Sequence, residues 1–254
     1  MTRVQSILIS VRDVLADHKK QRWSDDVLIR LFNEGLLNFI LQARTLKLKT
    51  YIELENNTAM YNLSDQVISI DRIQYLEKVL ESKTEEDMDK LDISWQTKAG
   101  PEPKYVIFDN MQKGVFRIFP RLDNSGLNNI EQNQLYGILI DLEVNDDLYL
   151  IPSINNAAYS GKKFLIVYYI GKPKIVTLDT LDEDVDIDSL YDQAIVAYIS
   201  GQALRFDADT LNRNFGAEQL SIYKSYVEQA KVKEAEANNT FIRREVSYKG
   251  FVWK

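Results

Sequence analysis

The chain has 254 residues, enough for one large core or two smaller ones, and its 45% hydrophobic and 27% charged residues are ordinary for a globular protein. A formal net charge of −7 and a pI near 5.0 argue against a general nucleic-acid-coating surface, though not against one that DNA passes without being gripped. The absence of cysteine removes disulfides, thiol catalysis and cysteine metal sites, which fits a reducing compartment. Arg12, Asp13, Asp17 and His18 interrupt any signal-peptide pattern, and the longest apolar run, Phe164 to Ile170, is too short to span a membrane. A soluble, cytosolic protein is expected.

Val4, Ile7, Leu8, Val11 and Leu15 form the apolar stripe of a first helix. A polar turn over 17–22 leads to Trp23 and a second helix, expected to be the central core helix. Ser24 is placed to cap it, and Asp25 and Asp26 suit the positive end of its dipole. Apolar or small residues at Leu28, Leu31, Phe32, Gly35, Leu36, Phe39, Ile40 and Ala43 follow the i, i+3, i+4 spacing of one helical face. After Arg44 the period becomes that of strands: 50–54 and 58–63 read as a hairpin around Glu55-Asn56-Asn57, and 67–73 reads as a further strand. Thr84 before Glu85, Glu86 and Asp87 signals a short helix to Leu91. Strands are expected over 104–109, 115–119, 138–144 and 164–170, with a surface loop over 123–134.

A third long helix is expected from about Asp188, with Leu190, Ala194, Ala197, Gly201 and Leu204 on a face that admits close approach. A fourth is expected from about Leu211 to Ala237, with Leu211, Phe215, Leu220, Tyr223, Val227 and Ala230 as its apolar residues. The resulting fold class is α+β: a discontinuous helical bundle of about four helices (1–48 and 186–237), a β-rich insertion (49–185) between the second and third long helices, and an extended C-terminal segment (238–254).

Chemistry has little sequence support. His18 is the only histidine and lies in a polar turn; HExxH, GxGxxG and GxxxxGK[ST] are all absent. The acidic run Asp179, Asp182, Glu183, Asp184, Asp186, Asp188 fails the EF-hand spacing, since positions six and twelve from Asp184 are Ser189 and Ile195. It reads as a solvated, helix-capping loop, so neither a metal nor any other cofactor is expected. In the C-terminal segment, Phe241, Arg243, Arg244, Tyr248, Phe251 and Trp253 mix aromatic anchors with positive charge. That mixture serves nucleic acid or a protein crevice, and the acidity of the chain favours protein.

A first helix followed by Trp23-Ser24-Asp25 and a leucine-rich helix bearing Asn33-Glu34-Gly35 resembles the opening of head-to-tail connector (adaptor, or neck) proteins of tailed bacteriophages. The likeness continues through the strands of 51–63, the extended stretch 68–75, Trp95, Gly100-Pro101-Glu102-Pro103-Lys104-Tyr105, Phe119-Pro120 and the two closing helices; the 124–159 region is longer than the usual insertion. The resemblance implies a non-enzymatic virion protein in the neck, assembled in the host cytoplasm. It implies a homo-oligomeric ring, usually a dodecamer, beneath the portal protein, joined on its other side to a tail or nozzle protein. DNA would cross the lumen without sequence-specific binding, and the C-terminal residues Phe241, Arg243, Arg244, Tyr248, Phe251 and Trp253 would bind the portal. The alternatives are another neck or tail subunit (stopper or tube) and a carboxylate-dependent hydrolase.

Overall fold

The computed structural model describes residues 3–55, 57–63, 65–75, 78–108, 114–123, 164–181, 185–205 and 207–248, with side chains as far as 236. The strand expected over 138–144 and the loop expected over 123–134 lie, apart from Asp123, outside the described residues. The fold is α+β, and the chain divides into two compact units, Met1–Lys47 with Lys172–Lys254, and Leu48–Gly171.

The first unit is built from α1 (Arg3–Leu15), α2 (Asp25–Ala43), α4 (Asp192–Leu204) and α5 (Thr210–Tyr248), with the short α3 (Glu85–Leu91) belonging to the other unit. Ser24 caps α2 by accepting the Val27 N–H at 3.4 Å. The helix ends at Arg44, whose left-handed φ of 56° lets its N–H return to the Ile40 carbonyl at 2.8 Å. The hub is α4 rather than α2. Nine of the 13 residues of α4 are buried, and it packs against α1, α2 and α5. A helix apolar on every side carries no amphipathic signature, so periodicity understates its central place. The small residues expected to admit a close neighbour do so: Gly201 and Gly216 face one another where α4 meets α5. Leu190 lies outside that face and is exposed.

Residues 172–181 and 185–188 pack with these helices. Asn33 clamps Val176 like a strand partner, its Nδ2 donating to the Val176 carbonyl at 2.7 Å while its Oδ1 accepts the Val176 N–H at 2.9 Å. Arg3 donates to the Ile187 carbonyl at 2.6 Å and pairs with Asp192. The last helix does not stop near Ala237; residues 238–248 continue α5, not the extended chain expected there.

In the second unit, β1 (Lys47–Glu53), β10 (Phe164–Gly171), β3 (Val67–Tyr75) and β4 (Lys78–Val79) form one sheet in that spatial order. A second sheet has the order β2 (Met60–Asn62), β8 (Val115–Phe119), β7 (Tyr105–Phe108), β5 (Glu81–Lys83). The short β6 (Ala99–Gly100) and β9 (Arg121–Leu122) pair in parallel. Leu165, Val167, Ile73 and Tyr75 of the first sheet and Tyr61, Val106, Phe116 and Ile118 of the second share one apolar core. The hairpin expected over 50–63 is instead a corner, since β1 and β2 belong to different sheets. The turn residues are those of a hairpin, but β1 lies beside β10 and β2 beside β8. The Tyr61 hydroxyl braces the corner, accepting the Glu55 N–H and donating to the Thr58 carbonyl, both at 3.3 Å.

Candidate functional site

The N-terminal motif residues prove to be structural fasteners. Asp17 is buried in the α1–α2 turn and accepts the backbone N–H groups of Gln21, Arg22 and Trp23. The Trp23 N–H, then those of Gln21 and Arg22 and the Arg12 charge, hold its carboxyl below the ordinary aspartate range against the opposing effect of burial. Arg12, also buried, reaches the Trp23 carbonyl and the Asp25 carboxylate, the latter at 2.5 Å. Further along α2, Asn33 holds Val176, Glu34 accepts the Tyr198 hydroxyl at 2.7 Å, and Gly35 leaves room for the Tyr198 ring. A Cβ at Gly35 would stand 2.6 Å from that ring. Burial, reinforced by Glu34, pushes the Tyr198 phenol up to about 12, so it stays a hydrogen-bond donor. The Asn33-Glu34-Gly35 run therefore locks α2 to two places in its own unit, Asn33 to Val176 and Glu34 with Gly35 to Tyr198.

The outward surface of α5 is different. Gly216, Tyr223, Val227 and Ala230 face inward. Leu211 and Phe215, expected among the apolar residues of this helix, are exposed together with Ile222, Leu211 at 75% and the other two at 38%. At about 100° per residue, Leu211, Phe215 and Ile222 lie within about 40° of one another, their centre about 110° round the helix from that of the buried row. Spacing could have separated the two rows, since 211, 215 and 222 interleave with 216, 223, 227 and 230. The result is a short exposed apolar row on an otherwise polar helix face, a candidate contact surface. Behind the stripe the helix is joined to its own unit at several points. Arg22 pairs with Asp207 just before α5, and Lys47 with Glu234 near the end of its packed part. The Gly201–Gly216 contact lies between, where a Cβ on Gly201 would stand 2.9 Å from the Gly216 carbonyl oxygen.

Of the residues expected to bind the portal, Phe241, Arg243, Arg244 and Tyr248 are positions along α5, and their side chains lie outside the described set. Phe251 and Trp253 lie outside the described residues altogether. His18 is solvated, with Asp13 at 3.4 Å. The acidic run is occupied locally: Asp186 accepts the Lys174 N–H at 2.6 Å and Asp188 accepts the Leu190 N–H at 3.0 Å, while 182–184 lie outside the described residues. Among the described residues, no three His, Cys, Asp or Glu side chains are placed to hold a metal ion, and no helix is long and apolar enough to cross a membrane.

Compared with known families, the chain matches the model described as SU10 adaptor protein over residues 2–244. No curated protein matches it.

Proposed function

The chain belongs to the SU10 adaptor protein family, a family of phage head–tail connector proteins, and on that footing we propose that it forms a ring beneath the portal. The ring extends the DNA channel from the head and receives the next component of the tail. The family match over nearly the whole chain carries this reading, and the outward stripe of α5 supports it. An exposed apolar row is suited to a neighbour, and sister chains around a ring supply one for every subunit.

The C-terminal residues Phe241, Arg243, Arg244, Tyr248, Phe251 and Trp253 bind the portal in this reading, with aromatic anchors set among cations. The net charge of −7 suits a conduit, since like charge lets DNA slide where a basic wall would hold its phosphates. An image of the neck with a channel wall rich in arginine would contradict that part. The portal assignment is tested by removing residues after Asn238 and measuring binding to purified portal. The shortened chain should keep its helical unit folded and bind at least ten times more weakly; undiminished binding would refute the assignment.

A further inference from the structure

A closed ring of more than two chains joins unlike surfaces, because the patch one chain offers its neighbour is not the patch it receives. In a ring, the apolar row of α5 therefore meets a different surface of the sister chain, and the helical unit carries a candidate on α2. Leu37 and Leu41 are exposed there, one turn apart. At about 100° per residue they share a side of α2 with Arg30, about 150° round the helix from the centre of its buried row. Asn33 stands at the edge of this side, and the Val176 backbone that it clamps brings Ile175 and Leu178 alongside, the former 77% exposed. The short turn Leu178–Thr180 packs on α2. The Thr177 N–H donates to the Thr180 hydroxyl at 2.8 Å and the Lys174 N–H to Asp186 at 2.6 Å, which fixes this strap on both sides of Val176. Large aliphatic side chains are thus held in water on a preformed face, which lowers the ordering cost of association. Among the described residues of this unit, only Ile9, Leu190 and Val232 are exposed large apolar residues outside this face and the α5 row.

Local charge separates this surface from a second α5 row. Glu218 lies between Phe215 and Ile222 along the exposed side of α5, and Arg30 lies centrally on the exposed side of α2. Neither has an ion pair among the described residues. Glu218 is near the middle of its row, so two α5 rows related by a two-fold axis bring it near its own copy, whereas the row laid on α2 brings it to Arg30. The carboxylates nearest Arg30 along α2 have other settings: Asp26 is in the first turn, at the positive end of the dipole, and Glu34 accepts the Tyr198 hydroxyl. We propose that Leu37, Leu41, Ile175 and Leu178 receive the α5 row of the neighbouring chain in the ring, with Arg30 of one chain meeting Glu218 of the next. This rests on the ring reading and names the surface that completes it. Both faces belong to one compact unit.

The masses of complexes between purified portal and the full-length chain test this. Leu37→Asp/Leu41→Asp changes exposed positions, so its melting curve should match the parent's, and it should add single chains to the portal in place of a closed ring. Leu211→Asp/Phe215→Asp should do the same. Mixed together, the two variants retain one sound pairing of faces, so they should add pairs of unlike chains and nothing larger. Arg30→Glu should weaken ring closure about tenfold, and adding Glu218→Arg should restore it, a recovery that loss of folding does not mimic. Complete rings from Leu37→Asp/Leu41→Asp, no pairs from the mixture, or no recovery in the charge-exchanged variant would overturn the proposal. If the parent itself adds no ring, the ring reading fails, and this inference with it.

Discussion

At Asp17, three backbone N–H groups and a guanidinium converge on one buried carboxylate in a turn of otherwise ordinary composition. Its depressed folded-state pKa fixes the sign of the pH dependence. The stabilisation is fully present above the ordinary aspartate value of 3.8 and is lost as pH falls through the lower folded value. Asp25, held down by Lys20 and Arg12, acts in the same window. Unfolding free energy measured by urea should therefore fall steeply below about pH 4. In Asp17→Asn that fall should be shallower; an unchanged slope would show that the carboxylate is not what links the turn to acid. Sequence showed Asp17 only as a polar turn residue, because three donors converging on one side chain are a matter of turn geometry. Asn33-Glu34-Gly35 was legible as a pattern but not as a mechanism: the partners Val176 and Tyr198 lie more than 140 residues away.

Among the elements, α4 and α5 depend on their glycine crossing. A Cβ on Gly201 would meet the Leu220 side chain at 2.7 Å and the Gly216 carbonyl oxygen at 2.9 Å. Backbone yields less than a side chain, so Gly201→Ala should force the helices apart and lower stability by about 1–3 kcal/mol despite alanine's better helix propensity. Urea titration checks this, and a variant as stable as the parent would mean that the crossing has slack. Helix starts were readable because caps are local: Ser24 and Thr84 act where their types and neighbours place them. Other features needed tertiary information. The corner at 55–59 uses the residues of a hairpin, and only pairing with β10 and β8 separates the two strands. The charged stretch near 231–236 resembles a helix end, yet Glu228–Lys231 is an ion pair that supports a solvated helix continuing beyond it.

For the whole molecule, the proposed account places assembly on the helical unit. The helical unit offers the α5 stripe to sister chains, and the end of that helix carries the C-terminal segment for the portal. Fold class and family were legible in the order of elements and in the motifs around Trp23, Asn33, Trp95 and Gly100. The assembly surfaces were less so, because exposure depends on which helix face the rest of the chain leaves open. The most direct measurement is the mass of the portal complex formed with the 29.4 kDa chain and with Leu211→Asp/Phe215→Asp. The account predicts that the parent adds the mass of a closed ring to each portal, whereas the double variant, folded and carrying an intact C-terminal segment, adds only scattered single chains. Complete rings from the double variant, or no added mass from the parent, would contradict it.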